Sequence, residues 1–363
     1  MKIAFTTEYS YPSKCGVWNT VCHTAKELQK KGHEIHIFSS NIIKGTSKKS
    51  PRYEVIDGLT YHRFPVLFKV GENGGVWFFS NHVHKIKPDL IHAHSFRHFH
   101  ATIAPAIARQ LGIPCYLTTH GPFLDDGIRR PLTQFLVDSY DLLLGKKILN
   151  AYTKVFAVSK WEVPFLITIG CKKDKIKVIS NGFPKEFLKI KPKKNNNVLF
   201  MGRIARVKNL EAILQVAKNL KDINFTIYGP IEKGYTLTSN LKNVKIMSRS
   251  YDLNEEIKEF NKNSIFVLPS KIESIPLALL EALGAGLVCI SSNTRGGLEL
   301  IANKKNGFIF NKNNPTELEA IIKKLVKDKG LFNKISKVAK ESVKHKTWDK
   351  ISIKIEKEYK SSV

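Results

Sequence analysis

Twice along this chain a β-prone run gives way to an amphipathic helix and then to another β-prone run, and that alternation leaves few folds open. "KIAFTTE" leads through a Pro/Ser/Gly loop to the helical period of "VCHTAKELQKKG" and on to "HEIHIFSS". "DLIHAHS", "TIAPAIARQLG", "IPCYLTTH", a long helical stretch ending near Asn150, and "KVFAVS" continue it. Buried β-rich runs separated by helices form parallel, doubly wound sheets with right-handed crossovers. After "KIKVISNGF" comes "PKEFLKIKPKKNNN", with Pro184, Pro192 and an Asn-rich end, the composition of a linker. The pattern then restarts with "NVLFMGRI", "NLEAILQVAKNLK", "NFTIYGP", "NVKIMSRS", "LNEEIKEFNK", "SIFVLPS" and "GFIF". A chain of 363 residues also exceeds what one hydrophobic core usually serves. The expectation is α/β: two Rossmann-like doubly wound domains facing a central cleft, over residues 1–185 and 198–345 with a linker at 186–197. Residues 346–363 form a closing amphipathic helix whose packing the pattern does not fix.

The formal charge of +28 is the one unusual bulk property. It fits a nucleic acid, an anionic membrane surface, an anionic substrate or a Lys-rich solubilising surface. The lysines are spread along the whole length with glutamates among them, which suits a solvated surface. Five cysteines without a CxxC pair fit unpaired thiols in a reducing cytosol. The opening "MKIAFTTEYSYP" lacks the apolar stretch of a secretion signal. No segment reaches the ~18 uninterrupted apolar residues of a spanning helix. A cytoplasmic protein is expected, with docking on the inner face of a membrane as a variant.

In doubly wound sheets, ligands sit outside the carboxyl ends of the strands. "FMGRIARVKNLEAIL" places Gly202, Arg203 and Lys208 there, between a strand and a helix. Glycine lets a backbone approach a ligand closely, arginine offers a planar fork to phosphate oxygens, and lysine adds a point charge. A glycine turn followed by solvated charges reads equally well. In "FVLPSKIESIPLALLEALGAG", Ser274 can cap a helix whose first turn tolerates Pro276, with Gly284 and Gly286 near its end. Glu273 then falls just before the helix and Glu281 within it, in an otherwise apolar segment. A helix N-terminus suits a diphosphate, whereas a carboxylate repels phosphate and accepts hydrogen bonds from hydroxyls. Acids flanking a phosphate-binding turn point to a ligand with hydroxyls on both sides of its phosphates, the shape of a nucleotide-sugar. The plainer alternative makes Glu273 a solvated acid and pairs Glu281 with a lysine.

Glu273 and Glu281, with seven residues between them, resemble the E-x7-E element of the retaining GT-B glycosyltransferases of family 4, also called group 1. "FMGRI....KNL" is similar to that family's G-R-x-x-x-x-K-[GN] element. "PDLIHAHS", "TTHGPF", "AVSK", "ISNGF", "IYGP" and "RGGLELI" fall in order where the family has similar phrases. The resemblance implies GT-B architecture, with an acceptor-side first domain and a nucleotide-sugar-binding second domain. It implies that Arg203 and Lys208 hold the diphosphate, that Glu281 takes the ribose hydroxyls, and that Glu273 contacts the transferred sugar. Backbone N–H groups near Pro276 and Leu277 would meet the phosphates; proline has none, so Leu277 is the donor. Gly16 would keep the role of a glycine pair after the first strand, with Cys15 in place of its neighbour. His120 would lie near the reacting sugar, and the last helix would cross back to the first domain.

His92 and His94 share one strand face, with His98 and His100 following, and such a cluster can bind zinc. The phrase is ordinary in the family, however, so no metal is expected. The absence of any D-x-D element argues the same way for the donor. The expected activity is a metal-independent retaining glycosyltransferase using a UDP-, GDP- or ADP-sugar and no cofactor. Its acceptor is a hydroxyl, with a lipid-linked one suggested by the basic and apolar residues of "HSFRHFHATIAPAIARQ" and "GIRRPLTQFLVDSYDLLLGKKIL". In the plainer reading those apolar faces are core. A nucleotide-sugar 2-epimerase shares the fold and donor. A nucleic-acid-binding protein explains the charge, but no recognition phrase accompanies it. A nicotinamide dehydrogenase lacks its G-x-G-x-x-G. The base and sugar are not named by the sequence, because base contacts fall in variable loops such as "IMSRSYD".

Overall fold

In the computed structural model, which describes residues 1–70, 74–123, 129–248 and 252–362, the opening run "KIAFTT" becomes an interior strand, almost wholly buried. Both of its neighbours are parallel, which is why it reads as a continuous apolar run rather than an alternating one. This strand, β1 (Lys2–Thr7), belongs to a unit made of Met1–Asn181 and Trp348–Val363; Gly182–Thr347 form a second unit.

The first unit also holds β2 (Glu34–Ser40), β3 (Tyr53–Ile56), β4 (Leu59–Phe64), a ribbon of β5 (Phe68–Val70) and β6 (Gly74–Val76), then β7 (Leu90–His94), β8 (Cys115–Thr118), β9 (Lys154–Ala157) and β10 (Ile176–Val178). Its main sheet runs β10-β9-β8-β7-β1-β2-β4-β3, parallel except for the β3–β4 hairpin. That hairpin turns on Asp57-Gly58, both at positive φ (50° and 74°), the backbone its two-residue loop requires. The helices of this unit are α1 (Gly16–Lys30), α2 (Ser80–Ile86), α3 (Phe99–Leu111), α4 (Pro131–Tyr140), α5 (Lys146–Ala151) and α6 (Glu162–Thr168), with a π-helical turn, Asp141–Gly145, joining α4 to α5.

The second unit repeats the plan with β11 (Asn197–Met201), β12 (Asn224–Tyr228), β13 (Val244–Met247), β14 (Ile265–Leu268), β15 (Val288–Ser292) and β16 (Phe308–Phe310). The order is β13-β12-β11-β14-β15-β16, all parallel. Its helices are α7 (Glu211–Asn219), α8 (Leu253–Lys262), α9 (Leu277–Ala285), α10 (Arg295–Leu300), α11 (Pro315–Lys327) and α12 (Lys329–Val343). In each sheet the chain leaves a central strand, β1 or β11, first to one side and later to the other. The crevices β1/β7 and β11/β14 are therefore the topological switch points, where this class of sheet receives ligands.

Two boundaries differ from the sequence reading. The segment expected as a linker, 186–197, is fastened to the second unit: Phe187 and Ile190 are buried, and Lys340 Nζ donates to the Ile190 carbonyl at 2.6 Å. The units divide at Asn181–Gly182 instead. The Pro- and Lys-rich composition masked two anchoring apolar side chains. The closing helix α13 (Trp348–Lys360) is part of the first unit, burying Trp348, Ile351, Ile355 and Tyr359. The Tyr359 hydroxyl meets His92 Nδ1 at 2.5 Å, and Trp348 stacks on His23.

Candidate active site

At the second unit's switch point, the chain leaves β11 through Gly202 at φ 150°. Gly229, the residue after β12, lies so close that a Cβ there would sit 2.0 Å from the Gly202 carbonyl oxygen. Gly229 must be glycine for the two loops to pass, and Gly202 for its left-handed backbone. A short 3₁₀ turn, Arg206–Lys208, follows and ends at Asn209, whose left-handed backbone (φ 51°) is held by its side chain donating to the Pro269 carbonyl. This turn aims Lys208 at the loop after β14. There its Nζ donates to Glu273 Oε1 at 2.5 Å, and Ser270 Oγ donates to the same oxygen at 2.6 Å. The two charged side chains are 19% and 9% exposed, so the pair is shielded from solvent and held firmly. Arg203, half exposed on the same loop, pairs with Glu232.

The helix that follows, α9, is capped by Pro276 and not by Ser274, with no side chain accepting from its first N–H groups. Proline's fixed φ starts the helix, and the N–H groups of Leu277 and its neighbour lack intrahelical acceptors. Gly296 allows the turn beneath: a Cβ there would lie 2.5 Å from the Ser274 carbonyl, while its own N–H donates to the Glu273 carbonyl at 3.0 Å. Glu281 lies in the second turn of α9 among residues that are all buried. It is 8% exposed, and among the described residues its carboxylate makes no hydrogen bond or ion pair. Burial, with Glu256 adding repulsion, raises its pKa well above the carboxylate range. The lysine partner that the plainer reading gave Glu281 is not there; the lysine stands on Glu273.

Gly202, Arg203, Lys208, Glu273, Leu277 and Glu281 thus belong to the second unit, while Gly16 and His120 belong to the first. Gly16 is the first residue of α1, behind Cys15, whose Sγ accepts from the Trp18 N–H; a Cβ on Gly16 would meet nothing within 4 Å. His120 follows β8 in the left-handed region (φ 60°), and its Nε2 meets His94 Nδ1 at 2.8 Å. Burial, with His98 nearby, pushes His120 down to about 3, so it works as a neutral donor or acceptor. His92 is a structural residue, held between Thr118 Oγ1 and the Tyr359 hydroxyl. Ligating a metal through either ring nitrogen would cost it one of these contacts. Part of the loop expected to meet the base, 249–251, lies outside the described residues.

Glu162 is a residue the sequence reading passed over. It is fully buried and accepts from Thr119 Oγ1 and Ser159 Oγ, bracing the residue before His120. Burial outweighs those bonds and lifts it to about 7 from 4.5. A carboxyl that holds its proton more tightly when folded stabilises the fold at low pH. That advantage fades as pH rises from 4.5 through about 7, by on the order of 3 kcal/mol in total. Glu162→Gln is therefore expected to flatten the fall in Tm between pH 5 and 8 by roughly 5 °C or more. Parallel melting curves for both proteins would contradict the assignment.

Comparison with known proteins decides what this frame belongs to. The model of Glycosyltransferase Family 4 matches residues 15–187, and that of Glycosyl transferases group 1 matches residues 184–342. The chain belongs to this glycosyltransferase family. Over 99% of its length the enzyme is 24% identical to an uncharacterized glycosyltransferase of Methanocaldococcus jannaschii, covering 98% of that protein. It is 26% identical, over 71% of each chain, to the UDP-Gal:α-D-GlcNAc-diphosphoundecaprenol α-1,3-galactosyltransferase of Escherichia coli. Its fold matches Anabaena HepE, solved in complex with UDP and glucose, with a TM-score of 0.72 and 15% identity, covering 99% of this chain and 100% of that one. The architecture of the glycosyltransferase is GT-B, with two Rossmann-like α/β units.

Proposed function

We propose that the enzyme moves a sugar from a nucleotide-diphosphate donor to a hydroxyl on a lipid-linked acceptor, with retained anomeric configuration and without a metal at the donor. The observation that carries the donor reading is the arrangement at the β11/β14 switch point. A shielded Lys208–Glu273 pair, the start of α9 without a side-chain cap and a buried Glu281 with no hydrogen bond or ion pair among the described residues are built from two loops and one helix. Lys208 keeps two N–H bonds beyond the one engaged by Glu273, and these suit diphosphate oxygens. The α9 start adds Leu277 N–H and a partial positive charge. Arg203 would exchange Glu232 for phosphate. Glu281, with nothing to accept from, suits a ribose diol, and Glu273 a sugar hydroxyl.

In this reading the bond from the sugar's anomeric carbon to the diphosphate oxygen breaks as negative charge gathers on the diphosphate. Lys208 and the α9 start stabilise that charge more as it develops than before, which is what accelerates the step. The acceptor hydroxyl bonds to the anomeric carbon on the face the diphosphate leaves. Its proton passes to the departing oxygen, so no protein base is consumed. Neutral His120 orients the sugar by hydrogen bonding. The matching test is a panel of UDP-, GDP- and ADP-sugars read by thermal shift and then by slow hydrolysis. One base class should raise Tm and release sugar. A panel in which no nucleotide-sugar shifts Tm would count against the reading, and isomerised donor without acceptor consumption would favour an epimerase.

The lipid-linked acceptor rests on the diphosphoundecaprenol substrate for which the E. coli relative is named and on a surface of the first unit. Helix α4 buries no residue; Leu132, Phe135, Leu136, Leu142, Leu143 and Leu144 are exposed along it and the π-turn, beside Arg130, Lys146 and Lys147. Of the two segments flagged from the sequence, α3 buries its apolar side as core, whereas α4 does not. Among the described residues no helix is long and apolar enough to cross a membrane. An apolar ridge flanked by cations suits the surface of an anionic bilayer. Phe135→Asp with Leu142→Asp should cut sedimentation with phosphatidylglycerol vesicles by about 10-fold or more, leaving the melting curve unchanged. Equal sedimentation would remove the membrane from the proposal.

A further inference from the structure

The first unit has a switch point of its own, between β1 and β7, and three chemically matched side chains meet there. Glu8 follows β1 directly; His98 is the N-cap residue of α3, and His100 lies in its first turn. One donor atom from each lies within 4.8 Å of the other two. Glu8 and His100 are 4% and 0% exposed, while His98 is partly open to solvent. His98 Nδ1 faces Glu8 Oε2 at 3.8 Å, too long for a hydrogen bond, and among the described residues neither His98 Nδ1 nor His100 Nε2 has a hydrogen-bond partner. Two buried ring nitrogens without a hydrogen-bond partner, beside a buried carboxylate, need something to satisfy them.

The surroundings are built to hold these rings and the carboxylate still. Thr6 Oγ1 engages His100 Nδ1 at 2.6 Å, which fixes the ring and leaves Nε2 as its open ligand atom. Trp77 stacks on His100, and its indole N–H donates to Glu8 Oε2 at 3.4 Å. The Glu8 carbonyl accepts from the Ser40 N–H at 3.2 Å and from Ser40 Oγ at 2.6 Å, pinning the end of β1. Gly75 comes so near that a Cβ there would lie 2.4 Å from Glu8 Oε1. Groups that fix ring orientation and carboxylate position are what metal-ligating residues carry behind them.

We propose that Glu8, His98 and His100 bind one divalent transition-metal ion, tying the end of β1 to the start of α3. Two imidazoles and one carboxylate suit Zn²⁺, with a fourth position left on the His98 side for water. At bond lengths of ~2.1 Å, tetrahedral donors stand roughly 3.4 Å apart. From separations of at most 4.8 Å, binding would draw the three groups together by no more than ~1.4 Å. The site lies outside the donor-binding loops, and His92 and His94, the first histidines of the run, take no part in it.

The test uses tag-free full-length protein, dialysed against Zn²⁺ and then against metal-free buffer, with metal content read by mass spectrometry. Wild type should retain one equivalent, and Co²⁺ in its place should give visible ligand-field bands. Titration of the apo form should show Zn²⁺ affinity falling at least 10-fold in His98→Ala and in Glu8→Gln, with circular dichroism unchanged. His98, partly exposed, carries the test if the Glu8 variant fails to fold. Wild type that keeps no stoichiometric metal would mean that water fills the gap and would overturn the proposal. So would a His98→Ala variant binding Zn²⁺ as tightly as wild type.

Discussion

Lys208→Ala should lower kcat/KM for sugar transfer by about 10²–10³-fold or more, on the scale of losing one preorganised donor to developing charge. The lysine does two things at once. It presents N–H bonds to the proposed diphosphate, and it neutralises Glu273 inside a shielded pair. Removing it leaves a mostly buried carboxylate with Ser270 Oγ as its remaining partner, which costs on the order of 3 kcal/mol of stability. The loss of activity could then be mistaken for a loss of fold. Lys208→Ala combined with Glu273→Gln separates the two, because the amide needs no counter-charge. The double variant should regain most of the lost Tm and none of the transfer. Near-normal turnover in either protein would refute the phosphate assignment, and Tm that stays low in the double variant would refute the account of the pair.

The β/α alternation was legible because parallel strands buried on both faces leave continuous apolar runs, and "NVLFM" and "IFVL" carry that signature. Strand ends locate the ligand positions in such sheets, so Gly202, Lys208 and Glu273 were visible as candidates before any coordinates. What stayed hidden was pairing. Lys208 and Glu273 lie 65 positions apart, and nothing local says that one meets the other rather than solvent. The same holds for Glu8 with His98 and His100, which share a switch point only once the β1–β7 neighbourhood exists. Asn209, Gly229 and Gly296 stand inside family-like phrases of the sequence but take no role there, because a left-handed turn or a close backbone approach leaves no trace of its tertiary neighbour in a single asparagine or glycine. The apolar residues of α4 read as core or surface equally well, since periodicity gives a face and not what covers it.

Glu281 poses the opposite case to Lys208: replacing it should strengthen the fold. Burying a carboxylate that has no hydrogen bond among the described residues destabilises the charged form, and its raised pKa is the sign of that cost. Stability attached to the protonated form is present at low pH and is lost as pH rises through the folded-state value. Glu281→Gln removes this dependence and is expected to gain about 1–2 kcal/mol at pH 8, seen as a higher Tm than wild type. The same change weakens the acceptor offered to ribose hydroxyls. Donor KM should rise by roughly 10-fold or more, the worth of a charge-assisted hydrogen bond, while kcat changes little because the ribose is remote from the bond that breaks. A residue kept at a cost to the fold is explained only by what it does with ligand present. If Glu281→Gln is less stable than wild type at pH 8, Glu281 is part of the packing rather than a held-open acceptor. If it is more stable and its donor KM is unmoved, the ribose belongs elsewhere.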